Sequence, residues 1–124
     1  MRHQIAGKKL GRSSGQRNAL RRSLINQILE HERIHTTRAK AVAVRGELEK
    51  LVTLAKQGIK GGDQKMVHAR RVAASRLASP AAVKRLFDEI APRYEKINGG
   101  YTRILRLGQR KGDAAEMVLL EFVE

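Results

Sequence analysis

The sequence contains no cysteine, and its only aromatic side chains are Phe87, Tyr94, Tyr101 and Phe122. Lack of cysteine excludes disulfides and every thiolate zinc site, and it fits a reducing compartment. Four aromatics are too few for the stacking platforms that single-stranded nucleic acid uses, and Phe87 and Phe122 fall on apolar faces that predict core positions. No segment approaches the roughly 20 apolar residues of a membrane span. The stretch MRHQIAGKKLGRSSGQR lacks the apolar centre of a signal peptide, so the chain is expected in the cytosol. Carboxylates are also scarce. Twelve Asp and Glu face 26 Lys and Arg, and none of the twelve falls in residues 1–22.

What is present follows from that imbalance. The formal net charge is +14 on 124 residues, which favours a polyanionic partner, most often nucleic acid, over an anionic membrane surface. The length suits one domain with a single modest core, and 41% apolar residues are enough to build it. Residues 1–22 carry Arg2, Lys8, Lys9, Arg12, Arg17, Arg21 and Arg22, with Ile5 and Leu10 as the only large apolar groups between Met1 and Leu20. Such a run cannot bury enough surface to fold alone, and it reads as a basic arm that orders on a partner. We therefore divide the chain into an arm, residues 1–15, and a single α+β domain, residues 16–124.

Periodicity supplies the elements of that domain. Ser13-x-x-Gln16 resembles a capping box, and Leu20, Leu24, Ile25, Ile28 and Leu29 repeat at helical spacing after it. Arg17 and Arg21 extend the same side toward the N-terminus, as in a helix that overhangs its core and rests on phosphate. Residues 33–36 read as a short strand, with Thr37 capping a helix over 38–57. Ala41, Val44, Leu48, Leu51, Val52 and Ala55 form the stripe of that helix. Gly58 is expected to stop it, and GIKGGDQK to be a flexible loop. A further helix is predicted over 64–78, lined by Met66, Ala69, Ala73 and Leu77. Ser79-Pro80 starts a fourth, with Val83, Leu86, Phe87 and Ile90 on one face and Pro92 at its end. After the turn Asn98-Gly99-Gly100, YTRILRLG and EMVLLEFV read as strands flanking a hairpin loop, QRKGDA. The last strand is apolar on both faces, which predicts a central strand or one covered on both sides. The expected fold is α+β, four main helices packed on a small three-stranded sheet with a basic N-terminal arm.

One motif argues for an enzyme. His31-Glu32-Arg33-Ile34-His35 is a literal His-Glu-x-x-His, the zinc-peptidase pattern when both histidines share a helical face. Here the apolar stripe of the first helix stops before Arg33, and RIHTT fits a strand. Side chains four apart on a strand are about 13 Å apart in rise, too far for one metal at about 2 Å from each nitrogen. The extended form of the motif, with a glycine and a third histidine, is absent from HERIHTTRAKA, and Glu47 and Glu49 fit the solvated side of their helix. There is no nucleophile elbow and no phosphate loop. Asp113 and Glu116 are close in sequence, but nothing in the sequence sets their pKa values apart. The expectation is no catalysis, no metal, no cofactor and no small-molecule substrate. With few aromatics and no helix-turn-helix or zinc finger, backbone and shape recognition of structured RNA by Arg and Lys is favoured.

The chain also resembles a known family. MRHQIAGKKLGRSSGQRNALRRSL, ILEHERIHTT, LVTLAK, LFDEIAPRY and GGYTRILRLGQRKGDAAEM run in order from Met1 to the C-terminus, and together they are similar to bacterial large-subunit ribosomal protein seventeen. GGYTRIL with RKGDAAEM is the most specific portion, and the chain departs from the usual pattern at Gln4-Ile5, Gly11 and Gln16. The resemblance implies a structural component of the large ribosomal subunit near the polypeptide exit region. Its implied partners are large-subunit ribosomal RNA and neighbouring large-subunit ribosomal proteins, with no membrane. It also implies RNA contact for Arg2, His3, Lys8, Lys9, Arg12, Arg17, Arg21 and Arg22, and for Arg70, Arg71, Tyr101, Arg103, Arg106, Arg110 and Lys111. A free DNA- or RNA-binding protein and a zinc peptidase using His31 and His35 are the alternatives.

Overall fold

A computed structural model describes residues 7–124. Residues 7–13 form no helix or strand and are exposed, except for half-buried Leu10. Ser13 then opens the first helix, α1 (Ser14–His31), where its hydroxyl accepts the Gln16 N–H at 3.4 Å. Only the C-terminal half of α1 is buried, through Leu24, Ile25, Ile28 and Leu29. The six residues 14–19, roughly 9 Å of helix, project beyond the core.

The chain then makes β1 (Arg33–Thr37), and Thr37 caps α2 (Arg38–Lys60) by accepting the Lys40 N–H at 3.4 Å. Gly58 does not end this helix. It is buried inside α2, where an added Cβ would lie 2.7 Å from the Cβ of Ala69. The glycine is there because α3 (Asp63–Leu77) passes against it. The break falls instead at Gly61 and Gly62, and Gly62 takes a positive φ of 86° that a Cβ disfavours. The expected long flexible loop is thus reduced to these two glycines.

Ser79 accepts the Ala82 N–H at 3.4 Å, and Pro80 occupies the first turn of α4 (Pro80–Arg85). The helix does not stop at Pro92. It widens into one π turn, Leu86–Ile90, where the Ala91 N–H reaches back to Leu86 O, and tightens into a 3₁₀ turn, Ala91–Tyr94. Pro92 cannot donate and its ring would crowd the carbonyl four residues earlier, so the hydrogen-bond pattern changes around it.

The sheet is antiparallel, in the order β1-β3-β2, with β2 (Thr102–Gln109) and β3 (Glu116–Phe122) as a hairpin. β3 is central, as its two apolar faces predicted. Its inner residues Val118, Leu120 and Phe122 are buried against the helices, while Met117 and Leu119 on the outer face are half-buried. Ile34, Leu120 and Ile104 form one inner row across the sheet. Tyr94 packs between Tyr101, centroids 5.3 Å apart, and Phe122, 6.2 Å apart, and so ties the 3₁₀ turn to the sheet. The architecture is α+β, four helices on a three-stranded sheet.

Candidate nucleic-acid interface

The His-Glu-x-x-His stretch lies on a corner. His31 is the last residue of α1, Glu32 sits in the left-handed region with φ 69°, and Arg33 begins β1. The Glu32 N–H closes the helix on Ile28 O at 2.8 Å, and its carbonyl accepts the Phe122 N–H at 3.2 Å. Its carboxylate pairs with Arg93 and lies 3.8 Å from Arg85. Arg85 in turn donates through Nε to Leu29 O, an otherwise open carbonyl at the end of α1. Glu32 therefore joins helix, strand and the α4 region. The two histidines occupy different elements, His31 on the helix end and His35 exposed on the strand, so the helical geometry of a zinc peptidase is not formed.

Ion pairing divides the expected RNA contacts into two groups. Arg70 meets Asp88 at 2.9 Å and Arg103 meets Glu121 at 2.6 Å. Arg106 lies 3.6 Å from Glu116. Arg110 grips Asp113 with two nitrogens, at 3.1 and 2.6 Å. Each of these four already faces a carboxylate. Glu121 is 7% exposed and lies in the outer row of the sheet between Arg33 and Arg103, so Arg103 compensates a buried charge as well as presenting one outward.

The second group has no such partner. Among the described residues no carboxylate lies within 4 Å of Lys8, Lys9, Arg12, Arg17, Arg21 or Arg22, nor of Arg71 or Lys111. The exposed N-terminal half of α1 and the segment before it thus carry a run of uncompensated cations. Arg22 is partly occupied, since its Nε donates to Arg76 O at the end of α3 at 2.9 Å. Asn26 supports the same junction by donating to Leu77 O at 3.0 Å. Arg21 is half-buried, and its Nε has no hydrogen-bond partner among the described residues. Arg2 and His3, also expected to touch RNA, lie outside the described residues.

Tyr101 is a correction. It is 2% exposed, its ring packs on Tyr94, and its hydroxyl accepts a hydrogen bond from Lys56 Nζ at 2.9 Å and lies 3.3 Å from Thr53 Oγ1. Its N–H donates to Glu49 at 2.9 Å. Burial pushes the phenol pKa up, but the hydrogen bonds from Lys56 and Thr53 outweigh this, and the net shift is downward. Tyr101 fastens the Gly99-Gly100 turn to α2 and offers no surface to a base.

Asp113 is held within the hairpin loop. Its carboxyl is held well below the usual carboxylate range, at about 2, by the Arg110 hydrogen bonds and then by the Ala115 N–H. Glu116, close by in sequence, pairs with Arg106 instead. A carboxylate held ionised by an arginine clamp shapes the hairpin loop and is a poor proton donor near neutral pH.

Several unpaired cations were not singled out from sequence. Arg38, Arg45, Lys50, Lys65, Arg76 and Lys84 also have no carboxylate within 4 Å among the described residues. The available signal was their position outside the apolar stripes of their helices. Lys84 gains significance only from its spatial neighbours, because it lines a cleft with Arg70 and Arg71.

Comparison with known proteins places these features in a family. A family model described as Ribosomal protein L17 matches residues 20–123. The protein named large ribosomal subunit protein bL17 of Trichlorobacter lovleyi is 46% identical over 124 residues, covering 100% of this chain and 94% of the relative. The protein of the same name from Solibacter usitatus is 48% identical over 99% of this chain and 77% of the relative. That of Caldanaerobacter subterraneus is 48% identical over 94% and 97%. The family match spans both the helical body and the sheet, and the alignments to relatives reach through the basic N-terminal segment as well. The chain belongs to the ribosomal protein L17 family.

Proposed function

We propose that this chain is a structural component of the large ribosomal subunit and binds that subunit's RNA through its N-terminal arm and the projecting half of α1. Family membership sets it among ribosomal proteins rather than enzymes. The observation that carries the RNA reading is the run of uncompensated cations from Lys8 to Arg22 on exposed backbone and on a helix that overhangs its core. RNA phosphates are the partner such a surface fits, because each neutralised phosphate releases counterions. Arg71 and Lys111 add unpaired charge on the body. Arg70, Arg103, Arg106 and Arg110 serve as positioning contacts whose carboxylates fix their geometry.

In this proposal residues 1–15 are an arm that orders on RNA, and residues 16–124 are the folded body. The resemblance to the family supports a location near the polypeptide exit region, beside other large-subunit proteins, on ribosomes in the cytoplasm. No helix among the described residues is long and apolar enough to cross a membrane. The test is sedimentation of the tagged chain with large subunits through a high-salt wash, with competition between folded ribosomal RNA and duplex DNA at matched salt. Retention on large subunits and preference for ribosomal RNA are expected. Release at high salt with equal affinity for duplex DNA would leave a free nucleic-acid-binding protein instead.

A further inference from the structure

We infer that the cleft between α3 and α4 receives one unpaired nucleotide of the bound RNA, with its base in the cleft and its flanking phosphates on Arg71 and Lys84. This deepens the RNA-binding proposal and rests on it. The cleft has a volume of about 740 Å³, within the usual range of small-ligand pockets. Val67, Ala74, Pro80 and Val83 give it an apolar lining, and Val67 is 47% exposed although nothing among the described residues requires an apolar surface there.

Arg70 supplies the recognition surface. Its guanidinium carbon lies 4.8 Å from the Phe87 ring centroid, and Nη2 donates to Asp88 Oδ1 at 2.9 Å. The guanidinium is thus backed by an aromatic ring and tethered at one edge, while the side chain also lines the cleft. A planar, immobilised guanidinium is a surface on which a nucleobase stacks, and the ordering cost is already met within the protein. Charge argues in the same direction. Three cations, Arg70, Arg71 and Lys84, share the cleft with one carboxylate, Asp88, and that carboxylate is taken by Arg70. Arg71 on α3 and Lys84 on α4 remain unmatched on the two sides. An RNA strand satisfies both demands together, because each base carries an apolar face and stands between two phosphates. A partner helix would need a longer groove for anchors a turn or more apart, and acids placed against both cations.

The experiment uses the full chain bound to large-subunit ribosomal RNA, probed with reagents that modify unpaired bases. The variants are Ala74→Phe, which fills the cleft from an exposed position on α3, and Arg71→Gln with Lys84→Gln, which removes the unmatched charges. The wild-type chain should protect one short unpaired site that Ala74→Phe exposes again, with the rest of the footprint unchanged. Affinity should fall about ten-fold in Ala74→Phe, the lower part of the range for a lost stacked base, at an unchanged salt slope. The double variant should keep the wild-type melting temperature and flatten the slope by roughly 1.4 to 1.8. This variant carries the test if Ala74→Phe does not fold. A footprint and affinity unchanged in Ala74→Phe, or a slope unchanged in the double variant, overturns the cleft assignment while RNA binding stands. Loss of a neighbouring protein from large subunits carrying Ala74→Phe, with the RNA footprint intact, also overturns it and assigns the cleft to a peptide. Failure of the wild-type chain to bind the RNA at all is a failure of the function proposed above.

Discussion

If carboxylate partners decide which cations meet RNA, two sets of four charges should behave differently. The first set is Lys8, Lys9, Arg12 and Arg17, none within 4 Å of a carboxylate among the described residues; the second is Arg70, Arg103, Arg106 and Arg110, each facing one. Neutralising the first set to Gln should flatten the slope of log K against log salt by about 2.8 to 3.6, at roughly 0.7 to 0.9 per phosphate contact. Taking 1 M salt as the point where these contacts contribute nothing, that is a loss of about 10³-fold in affinity at 0.1 M. Neutralising the second set should change the slope by less than about 1, because an arginine already matched by a carboxylate adds little net charge to neutralise a phosphate, so few counterions leave the RNA on its account. Its cost should instead fall on folding, chiefly through Arg103, whose removal leaves Glu121 buried beside a more distant Arg33 at 3.9 Å. Filter binding to large-subunit ribosomal RNA from 0.1 to 0.5 M KCl reads the slopes, and thermal melts read the stability. Equal slope losses in the two sets would refute the reasoning, since carboxylate pairing would then have no bearing on phosphate contact.

Three further outcomes follow from the same geometry. Gly58→Ala should destabilise, because overpacking against Ala69 costs about 1 to 3 kcal/mol and exceeds the gain of roughly 1 kcal/mol in helix propensity; adding Ala69→Gly should recover part of the loss in urea melts. Leu120→Ala, at a fully buried position between Ile34 and Ile104, should cost about 2 to 5 kcal/mol in the same assay and leave the RNA salt slope of the folded fraction unchanged. Asp113 is held down to about 2, so its clamp on Arg110 is fully present above the ordinary value of 3.8 and is lost as pH falls through 2; a carboxyl NMR titration should show that midpoint, and Arg110→Gln should move it back toward 3.8.

The parts of the fold that were legible in the sequence are those decided by near neighbours. Ser13, Thr37 and Ser79 cap helices because a hydroxyl reaches an N–H three residues ahead, and no distant partner is involved. The central place of β3 was legible because a strand apolar on both faces has few other positions to occupy. The misreadings needed a neighbour from elsewhere in the chain. Gly58 has the identity of a helix stop, and only the passage of Ala69 shows that it is a contact point. Tyr101 opens a predicted strand after two glycines, and the RNA contact the resemblance implied for it gives way only when Lys56, Thr53 and Tyr94 are seen to enclose it. The clamp of Arg110 on Asp113, three residues apart, was hidden for a local reason, a loop in which Gly112 and Ala114 both adopt positive φ, the latter a conformation its residue type does not announce.

The candidate RNA-facing surface was legible for a different reason, and the same reason limited it. The first acidic residue of the chain is Glu30. The first 29 residues therefore carry seven cations and no carboxylate, half of the net charge of +14 in under a quarter of the length. Helical neighbours at i+3 and i+4 cannot neutralise Arg17, Arg21 or Arg22, because none of them is acidic. Only a carboxylate brought in by the fold could, and among the described residues the fold sends its acids elsewhere, Glu32 to Arg93, Glu121 to Arg103, Asp113 to Arg110. Beyond residue 30 acids and bases are mixed, and sequence alone could not separate Arg103, which faces Glu121 across a strand pair, from Arg71, which faces none among the described residues. Strand register and helix packing decide that division. A cation without a partner in this fold is therefore informative in proportion to how many carboxylates were within reach. The arm, with no acid within helical reach, stands out by its accumulated charge, whereas Arg71 and Lys84 stand out because they stay unmatched in a cleft whose one carboxylate, Asp88, is taken by Arg70.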